Sequence, residues 1–255
     1  MRISDATFVI YDLETCGLDP ATDRIVEIAG KFMRFGAGGL EGIRFFQTLV
    51  DPGVPIPPQT MAIHHIRDED VVNAPTWEDA CADIEAALRN EGTVVWVAHN
   101  GSEFDDRFVY ADEPFRSNAR FLDTKRLAQH LLPDAPGYSN QTLRYYLGLS
   151  LDMMGTAPHR ALADVIVTAA LLDSLLQVYC ETSGTMLLDD LLGFAASPIL
   201  YTSWPLGKYR NQPLGNAPDD YVEWCLRSMS DLKPDLRYSL GELLRKRTRP
   251  ETSKS

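Results

Sequence analysis

The apolar residues of the first fifty positions come in runs with alternation, not at helical spacing. TFVIYDLET (residues 7–15) and IVEIAGKFMRF (25–35) are rich in β-branched and aromatic residues, and the Gly, Pro and Asp of the intervening CGLDPATD mark a turn. GIRFFQTLV (42–50) reads as a third strand, so a β-meander is predicted to open the fold. DPGVPIPPQT (51–60) holds too much proline for a helix or a central strand, and a short helix is expected around MAIHHI (61–66). Thr76 is the candidate N-cap of the amphipathic WEDACADIEAALRN (77–90), with Gly92 past its end. TVVWVAHN (93–100) is a buried strand and FDDRFVYA (104–111) a helix. RFLDTKRLAQHLLP (120–133) passes from a strand end into a helix at Asp123, and NQTLRYYLGL (140–149) gives another short helix. In HRALADVIVTAALLDSLLQVY (159–179), Leu162, Val165, Ile166, Ala169 and Leu172 share one face of a long helix.

Three strands followed by alternating helices and strands predict an α/β domain with a mixed sheet. The polar TSGT at 182–185 is the expected hinge, dividing a domain over residues 1–181 from a small C-terminal α+β unit over 182–255, whose Lys208, Tyr209, Arg210, Trp224 and terminal basic run suit either nucleic-acid binding or a plain solvated surface. That unit is expected to hold a hairpin around LGKYRNQPLG (206–215) and helices near 218–229 and 234–247.

With 255 residues, 45% of them hydrophobic, the chain is long enough to bury a sizeable core. Cys16, Cys81, Cys180 and Cys225 are scattered with no C-x-x-C pair, against a disulfide framework or a zinc ribbon. MRISDATF lacks the layout of a secretory signal, and no run of about 18 apolar residues is present, so a cytoplasmic location is expected. The net charge of −12 argues against tight binding to phosphates, but it is unevenly spread. Residues 1–184 carry 14 basic and 27 acidic side chains, whereas residues 185–255 carry 10 and 9 and include the basic run RKRTR (245–249). Acids that ligate cations are neutralised in use, so part of the acidity is consistent with a cation site.

Three segments place acids where apolar elements end. Asp12 and Glu14, two apart in a strand, project to the same face at the end of the first apolar run, and adjacent carboxylates repel unless a cation lies between them. In VAHNGSEFDDRFV (97–109) a buried strand stops at His99 and Asn100, and Phe104 and Asp105 begin a helix, the strand-end position where α/β proteins place ligands. In PHRALADV (158–165), His159 lies at a helix start and Asp164 in its second turn, and histidine is the side chain best suited to take a proton near neutral pH. Carboxylates with one histidine and no Cys or His cluster suit hard divalent cations and disfavour zinc. Two such ions about 3.5–4 Å apart are able to activate water and stabilise the leaving oxygen in phosphodiester hydrolysis.

In order along the chain, YDLETCGL, IVEIA, MAIHHI, AHN with FD, YSNQTL and HRALADVIVTAALL resemble the motifs of the DEDDh, or DnaQ-like, 3′ to 5′ exonucleases, and LGKYRNQPLG is similar to a tail segment within that family. The resemblance covers nearly the whole chain. It implies an RNase H-like α/β fold, two Mg²⁺ or Mn²⁺ ions on Asp12, Glu14, Asp105 and Asp164, and His159 as the general base. It also implies DNA with a free 3′ end as substrate and nucleoside 5′-monophosphates as products, with an RNA-trimming enzyme or a proofreading-type subunit holding a 3′ end as rivals. Thr15, Gly17 and Leu18 then line the pocket for the 3′ nucleotide, His64 approaches a phosphate, and Asn100 contacts the substrate backbone. One departure stands out: the usual His-Asn-x-x-Phe-Asp is here HNGSEFD, with an additional residue between Asn100 and Phe104, so Asp106 competes with Asp105.

Overall fold

The computed structural model describes residues 1–110, 112, 115–116, 120–151 and 160–248; His159 and Arg249 fall outside them. The expected meander is present as β1 (Ala6–Thr15), β2 (Ile25–Gly36) and β3 (Gly39–Leu49), all antiparallel. Next come α1 (Pro58–His64), α2 (Asp68–Val71), α3 (Trp77–Leu88) and β4 (Thr93–Ala98), then α4 (Asp105–Val109), β5 (Arg120–Asp123) and α5 (Thr124–Leu131). α6 (Asn140–Tyr146), α7 (Ala161–Ser183) and α8 (Leu188–Ala196) follow. Among the described residues the sheet has five strands in the order β3-β2-β1-β4-β5, with β4 and β5 parallel to β1. The mixed α/β architecture is thus the one the apolar pattern predicts.

Alternation along β1 decides which side each helix covers. Ala6, Phe8 and Ile10 face a core with Leu127, Leu143, Val165, Leu172 and Leu191, contributed by α5 to α8. Val9, Tyr11 and Leu13 face the opposite core with Ala80, Ile84 and Val109 from α3 and α4. The sheet is therefore the middle of three layers, and β1 is buried on both faces. α7 is long and apolar enough to cross a membrane by composition alone, yet its buried residues, Val165 to Tyr179, pack in the first core, as a central helix does.

Two local details differ from expectation. α1 begins at Pro58, inside the proline-rich stretch, because a proline in the first helical turn lacks only an amide that would have no intrahelical partner. The chain divides into compact units at Ala196/Ser197, beyond the expected TSGT hinge. TSGT instead ends α7, with Gly184 at φ 68 as its left-handed cap. α8 then returns Leu188 and Leu191 to the first core, an element hidden in the sequence by its short length and by Gly193.

The second unit holds α9 (Asp219–Ser228) and α10 (Pro234–Thr248) around Trp204, Val222, Cys225, Leu236 and Leu240. Its expected hairpin is present in minimal form, an antiparallel bridge between Ser203 and Pro213 closing a tight loop in which the Trp204 amide donates to Gln212 O and the Asn211 amide to Trp204 O, both at 2.8 Å.

Leu172 is fully buried between α7 and the sheet. Leu172→Ala is expected to destabilise the protein by about 2–5 kcal/mol through lost burial and a residual cavity, measured as a lower denaturant midpoint with an unchanged slope.

Candidate active site

β1 pairs with β4 only as far as Ile10 opposite Val97, whereas its pairing with β2 continues to Thr15. Past that point the β4 side of β1 is open, and the backbone amide of Leu13 donates there to Asp105 Oδ1 at 3.1 Å. Asp105, the first residue of α4, thus reaches the stretch of β1 between Asp12 and Glu14. Asp164, one turn into α7, meets Asp12 and Glu14 from the helix layer. One carboxylate oxygen from each of these three residues lies within 4.8 Å of the others. A bulge after Glu14 bends the strand out of register there.

Asp106, the competitor of Asp105, points elsewhere. It accepts a 2.6 Å hydrogen bond from the Tyr11 hydroxyl, on the opposite face of β1. The additional residue of HNGSEFD is taken up by a 3₁₀ turn over Gly101–Glu103 that starts from Asn100 in the left-handed region, φ 70. Asp123 pins this turn. It caps α5 through the Lys125 amide and also accepts from the amides of Asn100 and Ser102 and from the Ser102 hydroxyl. Asn100 Oδ1 in turn accepts from Lys125 Nζ at 2.9 Å.

Just past the acids, where β1 ends, the Thr15 hydroxyl donates to Gly17 O at 2.6 Å, and Asp23 closes on Gly17 so tightly that a Cβ there would collide with its carboxylate. Leu18, next to it, is 79% exposed, an apolar side chain held in solvent. His64 differs from its expected role. It is only 1% exposed, with Nδ1 accepting from the Ile66 amide, so the ring offers no open edge to a phosphate. Among the described residues its Nε2 has no hydrogen-bond partner, and burial is the main cause that lowers the ring's pKa.

The sequence profile of the exonuclease family of RNase T type matches residues 9–172, which include all four acids. The chain belongs to this exonuclease family. It is 32% identical to exodeoxyribonuclease 10 of Escherichia coli K12 over 239 residues, 92% of this chain and 97% of that one. It is also 32% identical to the DNA polymerase III subunit epsilon of Treponema pallidum, over 69% of this chain and 80% of that one. Among solved structures, exonuclease X in complex with 5′ overhanging duplex DNA superposes with a TM-score of 0.58 at 32% identity, covering 74% of this chain and 99% of that one. The mixed sheet flanked by helices is accordingly the RNase H-like fold of these nucleases, and the protein is an exonuclease, a phosphodiester hydrolase.

The electrostatics of this carboxylate cluster follow from crowding like charges at a half-buried strand end. Burial raises the Asp12 carboxyl well above the ordinary aspartate range, and Asp105, Asp164, Glu14 and Glu27 add to the rise. Burial, then Glu27 and Asp164, push Glu14 up to about 8, and burial with Asp106 pushes Asp105 up to about 8. Glu27 lies directly opposite Glu14 in the β1/β2 register, yet its carboxyl is held low. The reason is Arg160, whose guanidinium meets the fully buried Glu27 carboxylate through Nε at 2.9 Å and through Nη2, while the Ala161 amide donates to the same group. Gln47 supplies a further donor at 2.8 Å. This pair joins β2 to the first residue of α7. The sequence alone does not pair them, because Glu27 lies within a strand run and Arg160 stands 133 residues further along the chain. The signal available was an acid alone in an apolar strand run, the same signal that marked Asp12.

Two measurements follow. Because the folded state holds Glu14 and Asp105 near 8 against ordinary values near 4, it binds more protons than the unfolded chain between those limits. Their contribution to stability is complete below about pH 4 and is lost as pH rises through about 8. Thermal melts in EDTA are expected to show a midpoint falling from pH 5.5 to pH 8, with Mg²⁺ restoring more at the higher pH and Asp12→Asn flattening the slope. Arg160→Met, which leaves Glu27 buried and unpaired, is expected to cost about 3–5 kcal/mol in denaturant unfolding, with the Glu27→Gln/Arg160→Met double variant recovering part of the loss.

Proposed function

We propose that the protein is a divalent-metal-dependent 3′ to 5′ exonuclease that hydrolyses the terminal phosphodiester bond of DNA and releases nucleoside 5′-monophosphates. The observation that carries this reading is the convergence of Asp12, Glu14 and Asp164 within 4.8 Å, with Asp105 bound to the amide between the first two. Hard carboxylate oxygens brought together against their mutual repulsion fit two Mg²⁺ or Mn²⁺ ions, held by Asp12, Glu14, Asp105 and Asp164. When bound, these ions supply an acidified water and charge stabilisation at the phosphoryl and leaving oxygens.

The chain's own residues do the rest. Asp105 is proposed as the ligand in preference to Asp106 because the Tyr11 hydroxyl occupies the latter on the other face of the strand. His159, one residue before Arg160, takes the proton from the attacking water, a role that rests on the family resemblance. Thr15 and Gly17 shape the seat of the 3′ nucleotide, and the exposed Leu18 lies against its base. Asn100, oriented by Lys125, holds the strand backbone in a cleft with His99, Tyr138 and Ser139. His64 acts from behind, supporting the Thr15 loop. A free-standing nuclease in the cytoplasm is favoured over a polymerase-bound proofreading subunit, since the likeness to an exodeoxyribonuclease spans 92% of the chain and the likeness to an epsilon subunit 69%.

Incubating the protein with 5′-labelled single-stranded DNA and Mg²⁺ is expected to give a ladder shortened from the 3′ end together with free 5′-mononucleotides, and EDTA should abolish it. Asp12→Ala and Asp105→Asn are each expected to slow hydrolysis on the order of 10³-fold, and Asp106→Asn by less than tenfold. An Asp12→Ala protein that digests at the wild-type rate would sink the assignment. Faster digestion of a matched RNA would replace DNA by RNA as substrate.

A further inference from the structure

The two compact units differ sharply in charge. Residues 1–196 carry 14 basic and 29 acidic side chains, a net of −15, whereas residues 197–255 carry 10 and 7, a net of +3. The second unit also leaves aromatic rings at its surface. From the tight loop, Lys208 Nζ lies 5.6 Å from the Tyr209 ring centroid, and Tyr209 packs edge-on against Tyr221 of α9 at 4.9 Å. Tyr221 continues to Trp224, one turn further along α9, at 5.9 Å. Beneath them Trp204 is buried, with Nε1 donating to Leu214 O, and touches both Tyr209 and Tyr221. The Tyr221 hydroxyl accepts from the Lys208 amide at 3.4 Å, which ties loop to helix.

The ladder is therefore fixed in place while its outer members remain open. Trp224 is 48% exposed, and Lys208 and Arg210 are exposed at the loop tip. A Trp at this exposure gains nothing for the fold from its outer face. The aromatic face has the exposed cations Lys208 and Arg210 on its loop side and the exposed Asp220 and Glu223 on α9, and on the compact unit with positive net charge its loop side complements a ligand carrying planar rings and regularly spaced negative charges. We propose that the Lys208, Tyr209, Arg210 and Trp224 surface is a second binding site for single-stranded DNA, in which bases stack on Trp224 and Tyr209 while Lys208 and Arg210 meet backbone phosphates. Duplex DNA hides its base faces, so stacking selects the single strand. The site raises the local concentration of the substrate strand for an otherwise acidic enzyme. It deepens the proposed exonuclease reading, from which it takes the identity of the strand.

The test uses the full chain and two ligands. One is a fluorescent dT25, whose binding is followed in EDTA so that no hydrolysis occurs. The other is the p-nitrophenyl ester of thymidine 5′-monophosphate, which is small enough to occupy the catalytic site alone and is turned over with Mg²⁺. Trp224→Ala is expected to weaken dT25 binding roughly tenfold. Lys208→Ala/Arg210→Ala is expected to weaken it as well and to reduce the slope of log affinity against log salt by about 1.4. Both variants should turn over the ester at the wild-type rate, and Trp224→Phe should retain most of the binding. Wild-type dT25 affinity in Trp224→Ala with an unchanged melting temperature overturns the proposal, as does tighter binding of a 25-bp duplex through the same residues. If the ester is not hydrolysed by the wild type while dT25 binding still depends on Trp224, the exonuclease reading fails and the binding site stands.

Discussion

Repulsion among carboxylates is the constraint to which the rest of the catalytic unit answers. Asp12, Glu14, Glu27, Asp105 and Asp164 crowd one end of β1, and each raises the cost of ionising its neighbours. A fold selected for stability alone would disperse them. Here the sheet order brings them together: β1 is central, β2 sets Glu27 opposite Glu14, β4 ends early enough to leave the Leu13 amide for Asp105, and α7 crosses above. One of the five is neutralised internally by Arg160, and that ion pair also fixes where α7 begins. The other four, Asp12, Glu14, Asp105 and Asp164, are the acids that the proposed divalent ions would hold and neutralise.

Much of this was legible in the chain because the relevant signals are local. Apolar runs, the Thr76 cap and the long face of α7 depend on spacing alone, and they are enough to read an α/β domain with a mixed sheet. Asp12 and Glu14 were legible for a related reason: a strand of period two puts them on one face whatever the tertiary structure. What escaped notice depends on contacts far apart in sequence. Glu27 and Arg160 are 133 residues apart. Tyr11, which holds Asp106 away from the site, is an unremarkable strand aromatic until α4 is laid across it. His64 illustrates the opposite error, since its motif position suggested contact with substrate while its burial is set by elements that follow it, Ile66 among them. The unit boundary was misplaced because a polar TSGT reads alike whether it links two domains or merely ends a helix.

The additional residue in HNGSEFD shows how an insertion beside such a site is accommodated. A loop residue added between a strand and the helix that carries a ligand would rotate that helix by about 100° if it were absorbed in the helix itself. It is absorbed before the helix, in a 3₁₀ turn, at the point where Asn100 takes a left-handed conformation that asparagine tolerates better than most residues. Asp123 makes this possible from the neighbouring strand, spending one carboxylate on the Asn100 and Ser102 amides and on the first turn of α5 at once. α4 therefore still begins at Asp105, and the next acid in the chain turns to the far face of β1, where Tyr11 receives it. Asp123, the cap of α5, is thus also the clamp on the turn that leads into Asp105.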